Sequence, residues 1–299
     1  MIKVTFLGTS YAIPTAERNH TAVLLTYKGE NILIDCGEGT QRQFRKAKLN
    51  PCKLTRILIT HWHGDHVLGI PGILQTLSLS GYGKTLFIYG PKGTKLFMKN
   101  LMKTFVFQLN YKIKVEEIKN KIFYETNDFY LEAERMTHGV LCNAYSFIKK
   151  GQIRIDKTKL KKTKLPKGPF LKKLKEGKNI VYKGKRYLAK NLTFKEKDKK
   201  ISFVYDTSFN NKIQDFVKNS DLLICEATFD SNLEEMAKKK KHLTAGQAGK
   251  IAKESKSKKL ILTHISERYK KDTSKLLKDA GKFFKNTSLA KDFDAFEVD

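Results

Sequence analysis

Three of the chain's seven histidines fall within six residues, His61-Trp62-His63-Gly64-Asp65-His66, directly behind the apolar run Ile57-Leu58-Ile59. A cluster this dense offers nitrogen and oxygen donors of the kind Zn²⁺ takes, with no thiolate needed. It also constrains the fold. Residues 56–60 read as a buried strand and residues 67–79 as a helix with Pro71 in an early turn. His61 and His63 then leave the strand on one side, while Asp65 and His66 open the next helix. Four donors on so short a loop do not converge comfortably on one ion, so two neighbouring ions are the better solution.

Two ions of four- to fivefold coordination need about six or seven protein ligands. The hexapeptide supplies His61, His63, Asp65 and His66; His138, Asp206 and His264 complete the count, with a carboxylate suited to bridging. The positions of these residues follow a pattern. The run 201–205 delivers Asp206, the run 222–225 delivers Glu226, and Lys259-Leu260-Ile261-Leu262-Thr263-His264 ends on Thr-His as Arg56-Ile57-Leu58-Ile59-Thr60-His61 does. Polar groups released at strand carboxyl ends converge on one edge of an α/β sheet.

Strand-like and helix-like runs alternate on both sides of a central segment. Before it come strands at 2–7, 22–26, 31–35 and 85–89, with a Lys28-Gly29-Glu30 hairpin turn, and helices at 41–48 and 92–102. After it come strands at 201–205, 221–225 and 259–262 and helices at 212–218 and 245–254, the last capped by Thr244. The reading is a layered α/β fold whose halves echo each other.

The central segment differs in kind. Residues 149–200 hold 21 Lys and Arg against four acids, which is +17 of the chain's net +29, and include Leu165-Pro166-Lys167-Gly168-Pro169. Interleaved Phe170, Ile180, Val181, Tyr182 and Tyr187 favour a small folded arm over a disordered tail. Such a charge repels itself unless a polyanion is the usual partner, and nucleic acid leads, ahead of an acidic membrane surface. The 299 residues, 40% hydrophobic, suit a sizeable core, and no run approaches the roughly 18 apolar residues of a membrane span. Four widely spaced cysteines without a C-x-x-C suggest a reducing cytoplasm, and the opening Met1-Ile2-Lys3-Val4 reads as a strand, not a secretory signal.

These residues carry a resemblance. The hexapeptide, preceded by Ile34-Asp35-Cys36-Gly37-Glu38-Gly39-Thr40-Gln41, resembles the metallo-β-lactamase superfamily, which implies an αββα sandwich. More narrowly, the chain resembles the ribonuclease Z family of tRNA 3′-processing endonucleases. The matching stretches are Phe6-Leu7-Gly8-Thr9-Ser10 with Pro14-Thr15 and Arg18-Asn19, Thr137-His138-Gly139, Tyr205-Asp206-Thr207, Glu226-Ala227-Thr228, His242-Leu243-Thr244-Ala245 and His264-Ile265-Ser266-Glu267-Arg268-Tyr269. The resemblance implies one domain over residues 1–299, with residues 149–200 as an inserted tRNA-gripping arm carrying Gly168 and Pro169. It implies two Zn²⁺ per subunit, one on His61, His63 and His138, the other on Asp65, His66 and His264, with Asp206 between them. It further implies a homodimer acting on precursor tRNA. Cys225, Leu243 and Ile265 depart from the family's usual residues, and none of them is an expected ligand.

The expected chemistry is hydrolysis of the bond after the discriminator nucleotide. Attack by water, not by a ribose 2′-OH, leaves a tRNA 3′-OH and a trailer with a 5′-phosphate. Asp65 is placed to orient or deprotonate the nucleophile, and His242 with Glu226 forms a His–carboxylate pair suited to protonating the leaving oxygen. Lys172, Lys173, Arg268 and Tyr269 are candidate backbone contacts, since lysines without a base-reading motif grip phosphates more than they read sequence. A phosphodiesterase for another RNA or a small diester would keep the hexapeptide without needing the arm. An RNA-binding module with purely structural zincs would be expected to lose part of the ligand set.

Overall fold

Leu24 and Leu25, or Leu222, Leu223 and Ile224, are all buried although neighbouring residues on a strand point to opposite faces. Both faces of each sheet are covered, so the strands read as continuous apolar runs with little alternation. The structure, a computed structural model, describes residues 1–299 except Phe107, Asn120, Lys164 and Lys167. Lys167 of the Leu165–Pro169 motif therefore lies outside the described residues.

Strands β1 (Ile2–Gly8), β2 (Ala22–Tyr27), β3 (Glu30–Ile34), β4 (Arg56–Leu58), β5 (Leu86–Gly90) and β6 (Ile113–Glu117) begin the first sheet. Strands β7 (Lys121–Glu125), β8 (Phe129–Met136) and β9 (Cys142–Lys149) begin the second. The basic segment follows with β10 (Ile153–Ile155), β11 (Ile180–Tyr182), β12 (Lys185–Tyr187) and β13 (Thr193–Lys195). The chain then completes the second sheet with β14 (Lys199–Val204), β15 (Leu222–Glu226), β16 (Leu260–Thr263) and β17 (Thr287–Leu289), and β18 (Ala295–Val298) returns to the first. The sheet orders are β18-β1-β2-β3-β4-β5-β6 and β17-β16-β15-β14-β9-β8-β7. In each sheet a parallel run of four strands, β3 to β6 and β14 to β17, carries the crossovers.

Between the sheets, Val4, Phe6, Leu25, Ile32 and Ile34 meet Leu131, Tyr145, Phe147, Phe203 and Ile224 in one apolar cluster. Leu24, Leu33, Ile57 and Ile88 point the other way and pack with Phe44, Ile73, Leu77 and Met98 from helices Thr40–Lys46, Ile70–Leu79 and Thr94–Thr104. Val204, Leu223 and Leu262 likewise meet Ile213, Ile251 and Leu276 from helices Asn211–Phe216, Ala245–Glu254 and Ser274–Gly281. The layers run helix, sheet, sheet, helix, which is the αββα sandwich. Thr244 caps its helix through a capping box with Gln247.

Three features differ from the sequence reading. The helix expected at 67–79 is two helices, Gly64–Val67 and Ile70–Leu79. Between them Gly69 donates to the Cys36 carbonyl at 2.9 Å, and a Cβ on Gly69 would lie 2.0 Å from the Gly37 oxygen, so the chain is pressed against the end of β3 and must turn there. Strands β6 to β9 occupy residues 113–149, to which the sequence reading assigns no element, although β6 and β8 alternate in burial along their length. Strand β18 pairs with β1, Ile2 opposite Val298, across almost the whole chain.

The basic segment builds a unit of its own. Strands β10 and β13 pair, and β11 and β12 form a hairpin turning through Lys183 and Gly184, both at positive φ (48° and 76°) as a two-residue hairpin turn requires. Leu165, Leu174, Ile180, Ala189 and Leu192 are its buried centre. Among the described residues no helix is long and apolar enough to cross a membrane.

Candidate metal centre

The strand ends bring the seven expected ligands together. His61 and His63 follow β4, and helix Gly64–Val67 places Asp65 and His66 in its first turn. His138 sits between β8 and β9, Asp206 just beyond β14, and His264 just beyond β16 at a positive φ of 60°. That left-handed conformation is uncommon for a side chain larger than glycine and re-aims the imidazole at the end of its strand. Hydrogen bonds lock the two sheets at this edge: Asn143 N donates to the Thr60 carbonyl at 3.0 Å, and Tyr11 N to the Ile265 carbonyl at 3.0 Å.

The donors fall into two groups that share Asp206. Its Oδ2 lies 3.4 Å from His61 Nε2 and 3.7 Å from His138 Nε2, and His138 Nε2 lies 3.3 Å from His63 Nδ1. Its Oδ1 lies 3.2 Å from His264 Nε2 and 3.6 Å from His66 Nε2, with Asp65 Oδ2 at 3.5 and 3.3 Å from the same two nitrogens. Each oxygen of one carboxylate thus faces a different cluster.

Hydrogen bonds behind the ligands set their tautomers. Asp35 accepts from Thr60 N and Thr60 Oγ1, each at 2.7 Å, and its Oδ2 faces His66 Nδ1 at 2.7 Å. Because the Thr60 hydroxyl is spent on Asp35, it accepts from His61 Nδ1 at 3.1 Å. Thr228 Oγ1 donates to Glu226 Oε2 at 2.6 Å and accepts from His264 Nδ1 at 3.0 Å, and the Lys241 carbonyl accepts from His138 Nδ1 at 3.0 Å. With Nδ1 carrying the proton in all four rings, four Nε2 lone pairs point inward. His66 Nε2 and His264 Nε2 then face each other 3.2 Å apart with no proton between them, and the buried His61 Nε2 and Asp206 Oδ1 have no hydrogen-bond partner.

An arrangement of inward lone pairs and carboxylate oxygens fits cations and little else. The electrostatics agree. Despite burial, which favours the neutral acid, Asp206 and Asp65 are held below the ordinary carboxylate range by the surrounding imidazoles. Burial lowers His66, but Asp206, Asp35 and Asp65 pull it well above the usual imidazole value, which is a demand for positive charge at this spot. Burial and the facing His66 push His61 well below it.

Beside the cluster, His242 Nδ1 lies 3.0 Å from Glu226 Oε2 and 4.0 Å from Asp206 Oδ2. Glu226 is fully buried at the end of β15 and also accepts from Thr207 N at 2.7 Å. Against burial, Glu226 and Asp206 raise His242 to about 9.

The other expected contacts are placed differently. Arg268 is exposed, its guanidinium 5.1 Å over the Phe229 ring. Tyr269, expected to meet phosphate, is buried instead, and its hydroxyl is engaged by Asp230, donating to Oδ2 at 3.0 Å and accepting from N at 2.8 Å. Gly168, Pro169, Lys172 and Lys173 belong to the basic unit and not to this cluster, with both lysines exposed on helix Leu171–Lys175. The departures Cys225, Leu243 and Ile265 pack in the apolar layer behind the second sheet. Asp35, Thr60, Thr228 and Tyr11 were not among the expected site residues. Asp35 had a signal: it closes β3 as Asp206 closes β14, and it sits at a φ of 55°.

Comparisons with known proteins agree with this architecture. A family model described as anti-Pycsar protein Apyc1 matches residues 2–164. Ribonuclease Z of Archaeoglobus fulgidus is 39% identical over 304 residues, covering 100% of this chain and 98% of that protein. Human tRNase Z, short form, is similar in structure with a TM-score of 0.74 and 28% identity, covering 99% of both chains. The metallo-β-lactamase fold protein YhfI from Bacillus subtilis shares the fold, with a TM-score of 0.72 at 20% identity over 99% of both chains.

Proposed function

We infer the activity from one established point: the chain belongs to the ribonuclease Z family and, through residues 2–164, to the family described as anti-Pycsar protein Apyc1. The Apyc1 match ends before Asp206, Glu226, His242 and His264, whereas the ribonuclease Z relative is matched along the whole chain. The protein is an endoribonuclease that hydrolyses phosphodiester bonds in precursor tRNA to process its 3′ end. The cut falls after the discriminator nucleotide and leaves a tRNA 3′-OH. The observation that carries this reading is the Asp206 carboxylate, one oxygen turned to each of two imidazole groups.

The donor set supports two Zn²⁺ per chain, one on His61, His63 and His138, one on Asp65, His66 and His264, with Asp206 shared. Bound there, zinc supplies Lewis acidity that neutralises phosphate charge and lowers the pKa of water towards about 7. Asp65, ionised and partly open to solvent, orients the attacking water. His242 stands beside the cluster with its imidazole held protonated by Glu226 and donates to the leaving 3′-oxygen. Glu226 is a positioning residue, because its oxygens are already occupied by Thr207, Thr228 and His242. Asp35, Thr60 and Thr228 keep the ligand tautomers fixed.

Residues 149–200 act as an inserted arm of a single domain over residues 1–299, and Gly168, Pro169, Lys172 and Lys173 meet the tRNA backbone. Exposed charge on a small folded unit suits phosphate contacts that position without reading bases. The free state of all four cysteines supports a cytoplasmic setting, and the exposed Leu96 and Phe97 offer apolar surface for a second copy of the chain in a homodimer.

The test is incubation with a precursor tRNA transcript bearing a 3′ trailer, with and without chelator, alongside Asp65→Ala, with both new ends mapped. The expected result is one chelator-sensitive cut after the discriminator, giving a 3′-OH and a 5′-phosphate, absent in the variant. A 2′,3′-cyclic phosphate, or an intact precursor, would refute it.

A further inference from the structure

Tyr11 lies where the reaction as proposed above does not yet use a residue. Its ring stands nearly perpendicular to His242 at 5.1 Å and to His264 at 5.3 Å, and meets the Phe229 edge at 6.3 Å. The ring is half-buried, and among the described residues its hydroxyl has no hydrogen-bond partner. Tyr82 donates to the Leu54 carbonyl, Tyr145 to the Ile59 carbonyl and Tyr269 to Asp230; the Tyr205 hydroxyl also lacks a partner but is fully buried and closed to any ligand, whereas Tyr11 keeps an open side.

The loop that carries Tyr11 is nonetheless fixed. Ser10 bridges to both His20 and Ile265, and its Oγ donates to the Ile13 carbonyl at 2.8 Å. Arg18 Nη1 donates to Thr9 Oγ1 and the Ala290 carbonyl, each at 2.6 Å, while Asp292 accepts from Thr9 Oγ1 and Asn19 N. An aromatic ring held this firmly, with no internal use for its polar end, is suited to offering a surface to something outside the chain.

We propose that Tyr11 is the stacking platform for the base of the discriminator nucleotide, the last nucleotide of the tRNA body. The assignment rests on the role given to His242 above. In the hydrolysis a water oxygen bonds to phosphorus, the bond from phosphorus to O3′ breaks, and O3′ takes the proton from His242. The fragment that departs with this oxygen is the tRNA body, so the ribose next to His242 belongs to the discriminator nucleotide. Tyr11, the half-exposed aromatic ring in edge contact with His242, then lies beside that nucleotide's base. An unpaired base needs such a platform to be held still, and stacking tolerates every base because each has a π-face, as an enzyme serving many tRNAs requires.

The experiment compares kcat/KM for a precursor tRNA with a normal discriminator and the same RNA made abasic there, in the unaltered chain, Tyr11→Phe, Tyr11→Ala and Tyr11→Leu. Loss of the base should slow the unaltered chain and Tyr11→Phe about tenfold, chiefly through KM, and should change Tyr11→Ala and Tyr11→Leu less than about twofold. Each figure is a ratio within one variant, so a general loss of rate does not enter it, and Tyr11→Leu serves if Tyr11→Ala folds poorly. An abasic first trailer nucleotide should give the same ratio in every variant. The proposal is overturned if the discriminator penalty persists in Tyr11→Ala and Tyr11→Leu, if the unaltered chain shows none, or if the trailer penalty is the one that vanishes. Failure of the unaltered chain to cut after the discriminator would instead overturn the proposed function.

Discussion

The strand-end edge of the sandwich and the basic unit within residues 149–200 hold their charges in opposite ways. At the edge His61, His66, His264 and Glu226 are fully buried, and each is tied to a carboxylate, a hydroxyl or a facing ligand atom. In the basic unit the side chains of pairs such as Arg154–Glu196 and Lys178–Glu176 are 34–70% exposed, and most lysines stand in solvent. Desolvated charge is committed to one partner and is costly to leave alone, whereas solvated charge is interchangeable and screened by salt. Damage at the edge should therefore be large and indifferent to salt; damage in the arm should be small, additive and salt-dependent.

The largest effect is expected from Asp206→Ala, which removes the carboxylate common to both ligand groups. Single-turnover cleavage should fall at least about 10³-fold, a rise of about 4 kcal/mol in the barrier. Next comes His242→Ala, with an expected loss of about 10²–10³-fold on precursor tRNA. A diester whose leaving group is p-nitrophenolate needs no proton on departure, so its hydrolysis should suffer far less. Equal losses on both substrates would place His242 elsewhere than on the leaving oxygen.

Asp35→Asn sharpens the comparison by touching no expected metal ligand other than His66 and no substrate. It should weaken metal affinity about 10–100-fold, read by competition with a chelator, with activity restored by added zinc. The smallest effect should come from Lys172→Gln with Lys173→Gln. The dependence of KM on salt should flatten by about one power of salt concentration per lysine, while kcat stays within twofold. A salt-independent loss in that variant would mean the arm works by packing, not by charge.

How far each region could be read in advance follows from the same contrast. Thr60-His61, Asp206, Glu226 and His264 were legible because an apolar run that stops on a polar residue is a local signal. Asp35 fits that rule, but its part in the site depends on Thr60 and His66, some 25 and 31 residues away, so only the folded chain shows it. Strands β6 and β7 were missed because they are short and largely open to solvent: β6 alternates over only four residues, Ile113 to Glu116, and β7 runs Ile122, Phe123 and Tyr124 together. Strand β18 was missed because its partner β1 stands at the other end of the chain. The break at Gly69 depends on how near the Gly37 carbonyl lies, which the helical period cannot reveal. For the arm, charge composition and the interleaved apolar residues pointed to a folded unit, and Ile180 is in its buried centre, while Leu165, Leu174, Ala189 and Leu192 are spaced too irregularly to be read in advance.

The most direct test of the shared carboxylate and its two ligand groups is the zinc content per chain of the unaltered protein, His138→Ala and His264→Ala, each measured after the same gel filtration. The account predicts two ions in the first and one in each variant, because His138 and His264 serve different groups. A single ion in the unaltered protein would contradict it.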